Sequence, residues 1–560
     1  MPRLSRRWTD PALIGIFFLC VYLVTGSADL LHNGDTDLRI QTAQAFVDHQ
    51  RLWIAQPMWY DARTGVGRGG HLYAQYGPGQ AILTAPLYIL GLVAARLINL
   101  QLDVGTVNVV ALYAARSVDL ILGALLAAVF YLMAASIGFR RNTAVVLTLI
   151  FGLATAAWPD AQSALEQTQV DLCLLLAVLF VWIFVKGGMT ARRWLVLSGC
   201  ALGFGLVTRY DFAVYLPAVL LFPALLRVAY PQRHTLRAVL GDAAAYLAGI
   251  VPALALIAVW DWARFGSPLN TGLHQWTFGE PPLLGAASLL ISPGKGLIWY
   301  VPLLFLLPFA VPAFVRRRPQ LSVLFAALFL CPLLFYATVL YWHGDPAWGP
   351  RYMYVALPYL VLPMGEFLER WRTTARPLKL AAVALAVVSL AIQVAAVSVT
   401  QWRYWYHLEV LDERTVNAAT WTGRPFHWGP TRYHYYWNVS QSPLLYQFLD
   451  LYQVIRLDTG DDHYLLTGQP DPYVSSPVPN YPMNTLAFWW ADTRHPVLGP
   501  RTRGGLAVLL AIAGALSALA LLGSMRRPPR ADSLAESPAP RSEPSGPLPA
   551  NLPNLASGKD

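Results

Sequence analysis

The sequence predicts an all-α polytopic membrane protein of about 12 transmembrane helices. Three observations carry that reading. The 560 residues are 56% hydrophobic and only 13% charged, with a mean hydropathy of +0.43, whereas soluble domains carry roughly 25% charged residues. Apolar runs of spanning length recur along the chain. Lys and Arg gather in short clusters between those runs, the distribution expected of cytoplasmic loops. The formal charge of +10 is therefore no nucleic-acid footprint. Cys20, Cys173, Cys200 and Cys331 all fall in apolar runs, which argues against a disulfide framework or a Cys-based metal site.

The first run, 11–27, has a basic flank and no small-residue cleavage site. It reads as a retained signal anchor with a cytoplasmic N-terminus. Further runs lie near 113–138, 142–158, 166–186, 193–209, 211–228, 238–260, 294–315, 321–341, 351–369, 378–400 and 504–525. If all of these span, every basic cluster faces the cytoplasm: Arg140/Arg141, Lys186 with Arg192/Arg193, Arg227 to Arg237, Arg316 to Arg318, Arg370 to Lys379, and Arg526 to Arg530. A further run, 80–98, would reverse that pattern by spanning. It is expected to lie in the outer interface or dip into it; the alternative is that it spans and another run does not. Residues 1–400 then form one transmembrane module, with 28–112 as its first outer loop. Residues 401–503 form an aromatic-rich outer segment large enough for a small domain. Residues 504–525 make the last transmembrane helix, and the Pro/Ser-rich stretch 526–560 is expected to be a disordered cytoplasmic tail.

The concentrated polar motifs all fall on the outer side of this topology. In SADLLHNGDTDLRIQTAQAFVDHQRLWI, Asp29, Asp35 and Asp37 precede a stretch where Leu38, Ala45 and Leu52 recur at seven-residue spacing beside Phe46 and Trp53. That pattern suits a helix lying on the membrane. Asp35 is placed to cap it and Asp37 to complement its dipole, roles compatible with chemistry at a costly place for a carboxylate. In GGHLYAQYGPGQAILTAPLY, Gly77-Pro78-Gly79 forces a turn. Tyr73, Gln75 and Tyr76 line a polar site or anchor the interface. In AWPDAQSALEQTQVDL, Asp160 and Glu166 sit at adjacent span ends, as helix-start acids or as oxygen ligands for a divalent cation. Arg209 either pairs with Asp211 or, through its planar fork, holds a phosphate.

TGLHQWTFGEPP with ISPGKGLIWYVP, and YWHGDPAWGPRYMYVALP, supply Lys295, Arg351 and the further candidates His274, His343 and Asp345. Lys295 and Arg351 are cations on the outer side, against the positive-inside trend, and need an anionic partner. With Arg209 they make a site for a phosphorylated lipid plausible. Trp402, Trp405, Trp421, Trp428 and Trp437 suit stacking on sugar faces or an interfacial belt. Asn438-Val-Ser is an N-glycosylation sequon.

In the order of these elements the chain resembles the GT-C superfamily of integral-membrane glycosyltransferases, which includes protein O-mannosyltransferases and the aminoarabinose transferase of lipid A. The shared order is a first span, an acidic outer loop with an interfacial helix, a Pro-marked apolar interfacial segment, an Arg-led span (Arg116), a basic cytoplasmic turn and an acidic second outer loop. YGPGQ stands where the aminoarabinose branch has Lys-Pro-Pro-Leu, and GDTD where the mannosyltransferase branch has an Asp-Glu pair. The resemblance implies transfer of a sugar from a polyprenyl-phosphate donor to a glycan, lipid or protein acceptor, with membrane lipids as partners. It implies inversion in a single displacement and no soluble cofactor, with a divalent cation (Mg or Mn) at Glu166 and Asp160 as the one metal to consider. It matches the first-loop acid to Asp35, with Asp37 second, and the second-loop acid to Glu166. Arg209, Lys295 and Arg351 would hold the departing phosphate. The implied location is a bacterial inner membrane, with both termini cytoplasmic and the active site on the outer face. The competing class, a transporter or flippase, is expected to show repeats and midplane polar groups.

Overall fold

Proline lacks the N–H that a helix interior needs; it stands at several breaks of the apolar runs, although Pro11, Pro86, Pro223, Pro252, Pro312 and Pro332 lie inside continuous helices. The computed structural model describes residues 2–27, 34–54, 64–99, 103–104, 107–163, 165–229, 236–272, 277–344, 347–401, 403–404, 436–457, 486–491 and 498–525. The first half is a series of unbroken helices: α1 Pro2–Val24, α2 Gly34–His49, α3 Gly79–Leu97, α4 Val109–Ile137, α5 Arg141–Leu153, α6 Ala157–Gln162, α7 Gln167–Lys186, α8 Arg193–Thr208, α9 Leu216–Ala229 and α10 Leu236–Phe265. The side chain of Asn108 accepts from the amides of Val110 and Ala111 and so caps α4, worth about 1 kcal/mol.

The expected span 294–315 is instead a chain of pieces: α12 Leu297–Tyr300, a 3-10 turn Pro302–Leu306, and α13 Leu307–Arg317. Pro302 and Pro308 mark its joints. The expected span 351–369 is likewise broken at Pro358 and Pro363 into α15 Arg351–Tyr354, α16 Leu357–Val361, a 3-10 turn and α17 Gly365–Glu369. Before, between and after them run α11 Pro282–Ile291, α14 Pro319–Tyr336, α18 Arg376–Ser398, α19 Pro443–Leu457 and α20 Pro500–Met525. Two short antiparallel hairpins complete the described chain, β1 Thr64–Val66 with β2 Leu72–Ala74, and β3 Asp103–Val104 with β4 Val107–Asn108.

The protein is a polytopic, α-helical integral membrane protein. Among the described residues eight helices are long and apolar enough to cross a bilayer: Gly79–Leu97, Val109–Ile137, Gln167–Lys186, Tyr210–Arg227, Leu236–Phe265, Pro319–Tyr336, Arg376–Ser398 and Pro500–Gly523. Thr9–Val24, Arg141–Leu153 and Arg193–Thr208 are apolar but shorter. The bundle core joins α1, α4, α5, α7 and α14 to the broken segments. Leu240, Leu247, Val251 and Leu254 of α10 stay exposed, an apolar face of the kind a membrane covers.

The helix α3 has the length of a span and packs antiparallel against the first part of α4. Gln80 meets Asp119, ten residues into α4, while Gly91 lies against Ala111 at the α4 start. The remaining eighteen or so residues of α4, roughly 27 Å at 1.5 Å per residue, continue past the beginning of α3.

The two ends of the bundle differ in charge chemistry. At one end Arg141 pairs with Asp10 (2.5 Å), Arg192 and Arg227 share Asp242 (3.0 and 2.5 Å), and Arg317 and Arg318 share Glu366. These are the basic clusters assigned to the cytoplasm. At the other end the indoles of Trp489 and Trp490 donate to the carbonyls of Leu23 and Val24, both 2.7 Å, closing the open C-terminus of α1. On the same side Gln447 of α19 donates to Ala395 and Val399 (3.0 and 2.8 Å), and Arg403 pairs with Asp450 (3.3 Å). Most of 401–503, with Trp402, Trp405, Trp421 and Trp428, lies outside the described residues, as do Asp29 and the tail 526–560.

Candidate active site

Asp35 and Asp37 occupy the first turn of α2, where the helix dipole favours carboxylates. Both are buried, and their surroundings differ. Asp37 accepts from Gln41 Nε2, one turn along the same helix, at 3.0 and 2.9 Å. Asp35 instead reaches two distant segments. Its Oδ1 accepts from Tyr76 Oη at 2.6 Å and its Oδ2 from Arg351 Nη1 at 3.3 Å.

Tyr76 is held by the turn that follows it. A Cβ at Gly77 would strike the Val207 carbonyl, and one at Gly79 would strike Thr208. The two glycines therefore let the turn close onto the end of α8, just before Arg209. Arg264, 1% exposed, and Trp260 donate to the Tyr76 carbonyl at 3.1 and 3.2 Å, while Arg264 also holds Asp261 at 2.6 Å. The end of α10 thus clamps the loop that carries Tyr76.

One turn beyond Asp35, Arg39 lies over the Tyr76 ring at 4.1 Å and pairs with Glu166 at 2.5 Å. Glu166 also faces Arg209 at 3.1 Å. Arg209 forms a fork on Asp211 at 2.8 and 2.5 Å, and Tyr336 Oη donates to Asp211 at 2.7 Å. The Tyr352 ring lies 5.2 Å from the Arg351 guanidinium and 5.6 Å from that of Arg209. Asp35, Glu166 and Asp211 thereby alternate with Arg39, Arg209 and Arg351 in one buried network. Arg209, Asp211, Tyr336, Arg351, Tyr352 and Gln167 line a small adjoining cleft.

The two second-loop acids behave oppositely. Burial alone would raise Glu166, but Arg39, Arg209 and Arg351 outweigh it and hold the carboxyl down at about 2. Burial raises Asp160, the Glu166 charge adds to the rise, and the hydrogen bond from Thr168 at 3.2 Å offsets only part of it. Asp160 is pushed up to about 8. It is a neutral acid at neutral pH beside an ionised one.

Of the sequence candidates, Asp35, Tyr76, Glu166, Arg209 and Arg351 come together, with Asp160 beside them. Lys295 does not join them. Its ammonium, 1% exposed, donates to the carbonyls of Ala347 and Gly349 at 2.7 and 3.2 Å. It fastens the loop leading into Arg351. His343 stacks on Tyr436 with ring centroids 5.3 Å apart, and the Trp437 indole donates to Ser288 at 3.2 Å. His274 and Asp345 lie outside the described residues. Glu166 and Asp160 are a poor fit for a divalent cation, since each Glu166 oxygen faces a guanidinium. No cluster of three His, Cys, Asp or Glu side chains suited to a metal occurs among the described residues.

Sequence reading missed Arg39, Tyr336, Tyr352 and Gln167. Arg39 carried a signal, four residues after Asp35 and so on the same helix face. Tyr336 closes an apolar run and carried none.

Residues 98–259 match the family model for dolichyl-phosphate-mannose-protein mannosyltransferase. That stretch is less than half of the chain. It holds Asp119, Asp160, Glu166 and Arg209, and leaves out Asp35 and Arg351. No curated protein matches. Among solved structures, ArnT from Cupriavidus metallidurans in the apo state is 14% identical, with 74% of this chain and 66% of that one covered and a TM-score of 0.46. The same protein bound to undecaprenyl phosphate covers 91% and 76%, at 14% identity and TM-score 0.41. The oligosaccharyltransferase AglB from Archaeoglobus fulgidus, in complex with an inhibitory peptide and a dolichol-phosphate, covers 85% and 62%, at 13% identity and TM-score 0.37. The chain thus spans less than two thirds of the length of two of these three.

Proposed function

We propose that this protein is a membrane glycosyltransferase that moves a sugar from a polyprenyl-phosphate donor to an acceptor hydroxyl on the outer face. The observation that carries the reading is the meeting of Asp35 with Arg351 beside a cavity walled by Arg351 and Arg209. A general base and a phosphate-suited fork stand next to each other, on the end of the bundle opposite the basic clusters. The match of 98–259 to the mannosyltransferase family supports the same class.

Asp35 takes the proton of the acceptor hydroxyl as its oxygen forms the new bond to the anomeric carbon. The bond from that carbon to the phosphate oxygen breaks, and its electron pair leaves with the polyprenyl phosphate. Arg351 and Arg209 hold the charge that develops there. One displacement inverts the anomeric centre. Tyr76 and Arg39 orient Asp35, and Glu166 keeps Arg39 and Arg209 in place. The acceptor is a glycan, lipid or protein hydroxyl at the outer face of a bacterial inner membrane, with both termini in the cytoplasm.

The test is sugar release by the purified protein from a panel of polyprenyl-phosphate sugars, supplied with a crude glycan, lipid and protein acceptor mixture. Turnover of at least one donor is expected. Translocation of a lipid-linked sugar across proteoliposomes with no transfer would replace this reading with a flippase.

A further inference from the structure

Gln167 opens α7 beside Glu166 and is 1% exposed. Neither its Nε2 nor its Oε1 has a hydrogen-bond partner among the described residues. Its neighbours are engaged: Glu166 with Arg39, Thr168 with Asp160, and Gln169 with Thr208 at 2.6 Å. Gln167 borders the cleft shared by Arg209, Arg351, Asp211, Tyr336 and Tyr352. A buried amide without partners weakens the fold, because the desolvation of its N–H and C=O groups is uncompensated. A phosphate oxygen only accepts and would satisfy Nε2 alone. A hydroxyl donates and accepts, and so satisfies both.

We propose that Gln167 is a specificity-determining residue that hydrogen-bonds a hydroxyl of the sugar carried by the donor. The inference rests on the donor class proposed above. The sugar is bonded directly to the phosphate, so with the phosphate on Arg351 and Arg209 the sugar meets the remaining wall of the same cavity. The two guanidiniums recognise the anion and carry no information about the ring. Gln167 supplies that information.

The experiment uses the full-length protein in nanodiscs, wild type beside Gln167→Met, with undecaprenyl phosphate and undecaprenyl-phosphoryl glucose, mannose and galactose as probes. Wild type is expected to bind the bare lipid phosphate and to prefer one sugar-bearing lipid. Gln167→Met should bind the bare lipid phosphate within about two-fold of wild type and lose roughly ten-fold or more of the sugar preference. It should melt no lower than wild type, since an apolar side chain of similar length replaces an unpartnered amide. Gln167→Asn, which keeps the amide but shortens its reach, should bind the bare lipid like wild type and fall between the two in preference.

Retention of the sugar preference in Gln167→Met overturns the inference. So does an equal loss for bare and sugar-bearing lipid with a lower melting temperature, which would make Gln167 structural. A wild type that binds the bare lipid phosphate but prefers no sugar also overturns it, while the phosphate reading stands. A wild type that binds none of the lipids fails the donor reading itself.

Discussion

At the residue scale the network divides labour among similar groups. Asp35 and Asp37 are two residues apart; Asp35 accepts from Tyr76 and Arg351 on distant segments, and Asp37 accepts from Gln41 one turn along α2. Because the proposed mechanism sends the acceptor proton to Asp35, Asp37→Asn should leave turnover within a few-fold of wild type, far above what loss of a general base does. Arg351→Lys keeps the charge but not the planar fork. It should lower kcat by about ten-fold or more, with the loss read as kcat and KM for a lipid-phosphate donor. Asp160 gives a prediction in pH. Its folded pKa is raised to about 8 from 3.8, so as pH rises the unfolded chain releases this proton first. The stability of the wild type should then fall across that window and level off above about pH 8. Asp160→Asn removes that slope, so its melting temperature should gain on the wild type between about pH 5 and 8 and hold the gain above. Asp35, Glu166, Arg209 and Arg351 were legible because a charge in an apolar chain is conspicuous. Gln167 and Tyr336 were not, because what marks them is a missing or a distant partner.

At the element scale the site depends on breaks and close approaches more than on long helices. Gly77 and Gly79 bring the Tyr76 turn onto Val207 and Thr208. Gly79→Ala has no room for its Cβ and should destabilise the protein by about 1–3 kcal/mol as an overpacked site, read as a lower melting temperature together with weaker donor binding. Pro302, Pro308, Pro358 and Pro363 stand at the breaks, but Pro86, Pro252 and Pro332 lie inside continuous helices, so proline alone did not mark those stretches as broken. The pieces place Arg351 at the start of α15, with Lys295 tying the preceding loop through Ala347 and Gly349. The helix α3 was legible as an apolar run, whereas its contacts with Asp119 and Ala111 depend on a tertiary register that no local pattern specifies.

At the scale of the whole molecule, charge is sorted by end: basic clusters and their carboxylate partners at one, the Asp35–Glu166–Arg351 network at the other. Loop charge predicted this sorting, because it reflects a rule about membrane sidedness and not about packing. Cysteine scanning in a background without the four native cysteines tests it. A cysteine at Arg140, whose side chain is 80% exposed, should be labelled only from the cytoplasm, and one at the exposed Asn438 only from outside.

The measurement that tests the central claim most directly is turnover of the best polyprenyl-phosphate sugar by Asp35→Asn beside the wild type, with undecaprenyl phosphate binding measured on both. The account predicts a fall in kcat of about 10²- to 10⁴-fold, with binding of the lipid phosphate retained. Wild-type kcat in a folded Asp35→Asn protein would contradict it.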